Sequence, residues 1–278
     1  QVSKGNQQLR VGWEFVLRRS TLGIGSLAEA SRCICEAAAA GLSRIGVNAK
    51  YRPRNDIEVD GRKVSGTGGF FDADTLFFQG TVLVDMNPAD MLAALNVPQA
   101  KLNRRELDSA AQRVVTLKEL LGAAPSLESV RTALLAGFAG ELGITAVPGD
   151  ITAFEESLAA QYHEEEIGTD AFVAEIDDPA ADGGLLAASH TGAGGTIQAY
   201  IRLEGAQRDR IREALITGDF FVTPPRTVFD LEASLRNVAV ADAGAAIDRF
   251  FSAADVGLLT VAPADFRKVV EDAIASAP

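Results

Sequence analysis

Residues 56–65, Asp-Ile-Glu-Val-Asp-Gly-Arg-Lys-Val-Ser, constrain the fold more than any other stretch of the chain. Asp-Gly between two alternating runs is the strongest short-range signal for a two-residue β-hairpin. With Asp60 and Gly61 as the loop, Val59 is expected opposite Arg62, Glu58 opposite Lys63, Ile57 opposite Val64 and Asp56 opposite Ser65. Alternation then sends Ile57, Val59 and Val64 to the core face and Asp56, Glu58, Lys63 and Ser65 to the other. A second hairpin is expected from Thr-Leu-Phe-Phe and Thr-Val-Leu-Val-Asp-Met, with Gln79-Gly80 as its turn.

The remaining segments supply further strands and helices. Trp13 to Leu17 is short, apolar and branched or aromatic, and reads as a strand. Ser26 caps a helix whose Leu27, Ala30, Ile34, Ala37 and Ala38 recur at helical spacing, with Gly46 at its stop. The small Ala39-Ala40-Gly41 run lets that helix lie close on a sheet. Asn87-Pro88 predicts the start of a short helix. Pro125-Ser126 starts another, with Val130, Leu134, Leu135 and Phe138 on one face and Gly143 at the end, and Thr152 with Glu155 forms a capping box. Between Gly168 and Gly195 the composition shifts to Asp, Ala, Gly and Pro, which marks a domain boundary. Beyond it, two paired strands, a helix with Thr227 and Asp230 as a cap pair, and two further helices make a small α+β unit. The expected class is therefore α+β, a mixed or antiparallel sheet with flanking helices over residues 1–170 and a smaller α+β domain over 185–278.

Charge removes several functions. Against 26 Lys and Arg stand 38 Asp and Glu, a net charge of −12, which a duplex carrying one negative charge per ~1.7 Å would repel. Nucleic acid is not an expected partner. Two His and two Cys are too few for a His/Cys zinc site, and Cys33 and Cys35, two apart on a helix, read as reduced core thiols. No apolar run is long enough to span a bilayer and Gln1 to Arg10 lacks the layout of a secretory signal, so a soluble cytoplasmic protein is expected. The chain opens on Gln1 rather than Met, as a processed or incomplete copy of a longer protein would.

Two readings of the hairpin stand side by side. Its polar face is an ordinary solvated strand with a Glu58–Lys63 cross-strand pair, or it is a binding site. The second reading rests on Ser65, Gly66, Thr67, Gly68 and Gly69, which bring bare backbone and two hydroxyls close to a cation. Lys63 with such donors suits a phosphate or acyl-phosphate oxygen. The spacing is not that of a P-loop, because the lysine precedes the glycines on a hairpin.

Pro53 to Gly69, the Gln79 to Met86 run and Arg113 to Leu117 together resemble the lipoate–protein ligase A family of the biotin/lipoate ligase superfamily. The likeness extends from about Trp13 to Gly143, and Lys63-Val64-Ser65-Gly66 in place of Lys-x-Gly-Gly favours the lipoate branch. Gly194 to Gly205, with Gly218-Asp219-Phe220-Phe221, resembles the accessory domain of those ligases. Taken alone, that Gly-Asp-Phe-Phe run reads as a strand edge with buried phenylalanines. The resemblance implies ATP-dependent activation of lipoate to lipoyl-AMP with Mg2+, then transfer to a lysine of a lipoyl carrier domain. Carriers of that kind are the E2 of 2-oxoacid dehydrogenases and the glycine cleavage H protein. By the family pattern Lys63 is the catalytic cation, and Arg54, Asn55, Asp56, Ser65, Gly66, Thr67, Gly80 and Thr81 bind the ATP or lipoyl-adenylate, with Asp56 also a Mg2+ ligand. Gln79 stands where the family usually has His.

The family's Arg-rich, triple-glycine segment upstream of the first strand is missing from these residues. That predicts either an N-terminally incomplete ligase or a site completed by another polypeptide, and poor binding of lipoate and ATP by this chain alone. Two other functions fit the same residues. One is an ATP-independent octanoyl or lipoyl transferase, which needs an activated cysteine. The other is a non-catalytic subunit that docks a carrier domain.

Overall fold

The computed structural model describes residues 9–53, 55–87, 113–174, 184–192 and 194–277. The helix expected after Asn87-Pro88 lies outside the described residues. Strand β1 (Leu9–Arg18) is followed by a single helical turn α1 (Arg19–Leu22) and the long helix α2 (Leu27–Ser43). Strands β2 (Lys50–Arg52), β3 (Asp56–Val59), β4 (Arg62–Asp72) and β5 (Thr75–Asp85) then build an antiparallel sheet in the order β1-β5-β4-β3-β2. Helices α3 (Leu117–Leu121) and α4 (Leu127–Leu142) follow, then α5 (Ala153–Tyr162) and α6 (Asp170–Ala174).

Local chemistry sets these boundaries. Ser26 Oγ accepts from the Glu29 N–H, Ser126 Oγ from the Ser129 N–H, and Thr152 with Glu155 closes a capping box, each relieving orphan amides of a first turn. Helix α2 ends at Ser43, with Gly46 left-handed at φ 87°. The β3–β4 turn puts Asp60 and Gly61 at φ 50° and 79°, the left-handed pair that a two-residue hairpin needs.

Two hairpin expectations are corrected. Strand β5 runs unbroken through Gln79-Gly80, and the β4–β5 turn lies at Ala73-Asp74, with Ala73 at φ 49°. Gly80 is an inward position of that strand: a Cβ there would come within 2.3 Å of the Trp13 ring, so this glycine marks close packing and not a turn. In the first hairpin a bulge inserts Val64, so Ile57 pairs with Ser65 and Asp56 with Gly66. Ile57, Val59 and Val64 still point to the core, but Ser65 joins them and is fully buried.

The first core lies between the sheet and two helices. Leu27, Ile34 and Leu42 of α2 and Val130, Leu134 and Phe138 of α4 pack with Ile57, Val64, Phe78 and Val82. Each such side chain contributes about 1.5–3 kcal/mol when fully buried. Leu135, expected on the same face, is exposed. The small residues of α2 serve a helix rather than the sheet: a Cβ on Gly137 would meet the Ala37 carbonyl oxygen at 2.3 Å, and one on Gly41 the Ala133 oxygen at 2.6 Å. Of the two free thiols Cys35 is buried, whereas Cys33 is only half-buried.

A second core belongs to β6 (Leu185–Gly192), β7 (Gly195–Glu204) and β8 (Arg210–Gly218), with β9 (Val222–Thr223), α7 (Thr227–Leu235), α8 (Ala243–Ala253), β10 (Gly257–Leu258) and α9 (Pro263–Ala275). Ile197, Ile201, Ile211, Leu231, Ile247 and Phe266 fill it. Thr227 and Asp230 do not cap α7 as a pair: the Thr227 hydroxyl donates to the Pro224 carbonyl, and Asp230 takes the Arg226 guanidinium. The Phe220-Phe221 pair is not one strand edge either. Phe220 packs on the second core, edge-on to Phe266, while Phe221 packs on the first.

Candidate functional site

Side chains of β1 to β5 that point away from α2 and α4 line one open face, and strand pairing arranges them in rows. Asp56, Gly66, Thr81 and Gly12 form the first row across β3, β4, β5 and β1. Gly68, Gln79 and Glu14 form the next, and Phe70, Phe77 and Val16 the third. Two glycines leave the first row without bulk. Charge collects at its β3 end and apolar surface two rows away, about 13 Å along β4 at the usual strand rise.

Lys63 stands at the charged end. Its Nζ lies 2.6 Å from Asp56 Oδ1, and its side chain crosses Gly66 so closely that a Cβ there would come 2.8 Å from Cε and 2.9 Å from Nζ. The second Asp56 oxygen takes a hydrogen bond from the Arg52 guanidinium, which also reaches Glu58 at 3.6 Å. Glu58 lies opposite Lys63 in register, yet the ammonium pairs with Asp56. The Lys63 side chain is 37% exposed and that of Asp56 13%. The lysine therefore sits on the rim, where a competing anion can reach it.

The main chain of Lys63 is fixed from the opposite side. Its N–H donates to the Arg113 carbonyl at 2.8 Å and its carbonyl accepts from the Val115 N–H at 2.9 Å. Asn55 ties β3 to β4: its Nδ2 donates to the Thr67 carbonyl at 2.7 Å, and its own carbonyl accepts from the Thr67 N–H and hydroxyl. Asn55 is therefore a strut beside the lysine.

The other sequence-derived site residues divide between the two faces. Gly66 and Thr81 lie on the open face next to Lys63. Ser65, Thr67 and Gly80 face the core, so the expected pair of hydroxyls beside the cation is absent there. Thr67 Oγ1 meets Cys35 Sγ at 3.4 Å. Arg54 lies outside the described residues. Both Asp56 oxygens face cations, so a Mg2+ held by Asp56 would have to displace Lys63 or Arg52.

Sequence reasoning missed Arg52, Gly12, Glu14 and Phe221. Arg52 was findable, since it falls opposite Asp56 once β2 pairs with β3. Burial pushes the Cys35 thiol up to about 11, against partial relief from Thr67. A thiol so protonated is no nucleophile at neutral pH. A cavity of about 300 Å3 opens over the apolar end, lined by Val16, Gly68, Phe70, Phe77 and Phe221 with Glu14 and Gln79 at its polar side. No helix among the described residues is long and apolar enough to cross a membrane.

Residues 7–139 match the family model described as the lipoyl protein ligase A/B catalytic domain. An octanoyltransferase, LipM of Kyrpidia tusciae, is 29% identical over 174 residues, covering 54% of this chain and 64% of that one. Lipoate-protein ligase LplJ of Bacillus subtilis is 35% identical over 94 residues, covering 34% of this chain and 28% of that one. The match thus spans less than two thirds of either relative. Among solved structures, LipL1 of P. falciparum in complex with lipoate shares the fold at a TM-score of 0.56 and 16% identity, over 96% of this chain and 72% of that one. A bipartite lipoate protein ligase from Thermoplasma acidophilum, described with its E2 lipoyl domain, gives 0.53 at 23% identity, over 62% of this chain and 67% of that one.

Proposed function

Through residues 7–139 the chain belongs to the lipoyl protein ligase A/B catalytic-domain family, and on that premise we propose that it is an ATP-dependent lipoate–protein ligase. The observation that carries the reading is the Lys63 ammonium at the charged end of a trough whose other end is apolar. A medium-chain carboxylic acid with its carboxylate at Lys63 runs its chain over Gly66 toward the Phe221 ring, which covers Gly68.

In the first step a carboxylate oxygen of lipoate attacks the α-phosphorus of ATP and pyrophosphate leaves. Two anions meet, and Lys63 neutralises the charge that spreads over the phosphoryl oxygens. Asp56 holds the ammonium in place until the phosphate takes it over, and the Arg52 guanidinium holds the other Asp56 oxygen. Gly66 and Gly12 let the adenylate lie on bare backbone, with Thr81 between them. Glycine is needed at 66 because the lysine itself occupies the space of a Cβ. In the second step the ε-amine of a carrier-domain lysine attacks the mixed anhydride and AMP leaves. A lipoyl domain such as the E2 module described with the T. acidophilum ligase is the fitting partner. The second unit, residues 185–278, is the accessory domain of this reading. ATP as co-substrate and two unbridged thiols agree with a cytoplasmic setting.

Similarity to LipM favours a second reading, an octanoyl transferase that dispenses with ATP. It requires a reactive cysteine, and of the chain's two thiols Cys35 is buried and held protonated. Lipoate-dependent ATP–pyrophosphate exchange, run with this chain and with Lys63→Ala, decides between them. Exchange that disappears with the lysine supports the ligase. Acyl transfer to a carrier domain that proceeds without ATP refutes it.

A further inference from the structure

Phe220 and Phe221 are neighbours in sequence but pack on different units. Phe220 is edge-on to Phe266, 5.2 Å between ring centres, inside the second unit. Phe221 leaves that unit and lays its ring on Gly68 of β4, where an added Cβ would meet ring carbons at 2.5 and 2.7 Å. Its main-chain carbonyl accepts from the Leu259 N–H, and next to it the Thr223 hydroxyl accepts from the Phe71 N–H at 3.2 Å. The ring is therefore fixed from the second unit and seated on the open face of the first.

That position lies between the two ends of the trough. Gly66 and Lys63 are on one side of Gly68, Phe70 and Phe77 on the other. The ring forms a wall of the cavity of about 300 Å3, a volume at the lower limit for small-molecule pockets. Val16, Phe70 and Phe77, all partly exposed, supply the rest of its apolar lining. Glycine at 68 is what allows an aromatic wall to stand this close to the sheet.

We infer that Phe221 is a specificity-determining residue, by which the second unit limits the length of the acyl chain the first unit accepts. The inference rests on the ligase reading for its substrate class, a medium-chain carboxylic acid, and adds the residue that sets the chain length. Because the wall comes from the second unit, chain-length selection belongs to the assembled chain and not to the first unit alone.

Calorimetric titration of the full chain with hexanoate, octanoate and dodecanoate tests this without ATP or a carrier. Phe221→Ala is expected to raise the ratio of dodecanoate to octanoate affinity by at least about tenfold, the scale on which apolar pockets discriminate chain length. Phe221→Leu should fall between. Phe220→Ala opens the second core but not the cavity, and should lower thermal stability while leaving the ratio unchanged. A ratio that stays put in Phe221→Ala, or shifts equally in Phe220→Ala, overturns the inference. Absence of binding by all three acids to the unsubstituted chain also overturns the inference, and lipoate-dependent ATP–pyrophosphate exchange then shows separately whether the ligase reading falls with it.

Discussion

Gly66→Ala separates the position of the Lys63 charge from the stability of the fold. A methyl group at 66 would lie 2.8 Å from Lys63 Cε and 2.9 Å from Nζ. Neither distance is tenable, and what yields is the free end of a flexible side chain. The backbone at 66 lies outside the left-handed region, so alanine fits it without strain. The ammonium must then leave Asp56, losing a contact of 2.6 Å at the rim of the sheet. Asp56 Oδ1 is buried, so parting it from the ammonium costs about 1–3 kcal/mol, of which alanine returns ~0.4–1 kcal/mol by narrowing the unfolded ensemble. The net loss is no more than about 2 kcal/mol, so the thermal midpoint should fall by no more than about 6 °C. Adenylation should suffer far more: a cation displaced from the developing phosphoryl charge costs what an oxyanion donor costs, about 10²–10³ in kcat. Lipoate-dependent ATP–pyrophosphate exchange measured beside a melting curve reads both quantities. Exchange within twofold of the unsubstituted chain would falsify the placement of Lys63 at the reacting carboxylate. A midpoint lowered by 10 °C or so would show instead that the lysine and Gly66 matter to the fold.

Other substitutions probe the frame around the site. Gly137→Ala puts a carbon 2.3 Å from the Ala37 carbonyl oxygen, and forcing α4 from α2 should cost about 1–3 kcal/mol, read as a lowered denaturation midpoint with an unchanged m-value. Asn55→Ala removes the 2.7 Å bond to the Thr67 carbonyl and should cost about 1 kcal/mol, with adenylation reduced beyond what the stability loss explains; equal activity would remove Asn55 from the positioning of β3. Cys35 should resist a water-soluble disulfide reagent in the native state at pH 8 and react on unfolding. Its thiol, pushed up to about 11 by burial, binds its proton more tightly folded than unfolded. Stability is therefore full below pH 9 and falls by up to ~2–3 kcal/mol as pH rises toward 11, a decline that Cys35→Ala should flatten.

Much of this architecture was legible because local chemistry dictates it. Asp60-Gly61, Ser26, Pro125-Ser126 and the Thr152–Glu155 box each act within four residues, and each stands in the structure where its signal lies. Lys63 on the open face was legible for the same reason. What escaped depends on distance. Counting by twos cannot see the extra residue at Val64, so Ser65 was assigned the wrong face. Gln79-Gly80 has the composition of a turn, and only the Trp13 ring, folded over from β1, reveals its use. Cys33 and Leu135 carry the spacing of core residues but lie where the helices turn toward solvent. Nothing in the order of residues says that two adjacent phenylalanines part company, one into the second core and one onto the open face of the first unit's sheet.

The main-chain clamp on Lys63 has a consequence for how the protein is made. Its two bonds come from Arg113 and Val115, about fifty residues later, a closure whose length-dependent entropic cost is ~3–4 kcal/mol. During synthesis the Asp60-Gly61 hairpin can pair as soon as it leaves the ribosome, but its lysine has no backbone anchor until residue 115 emerges. At 5–20 residues per second that interval is roughly 3–10 s. A nascent chain stalled in this window would carry a formed hairpin and an untethered lysine. The reactive geometry is thus among the late events of folding, acquired only after the sheet that surrounds it has begun to assemble.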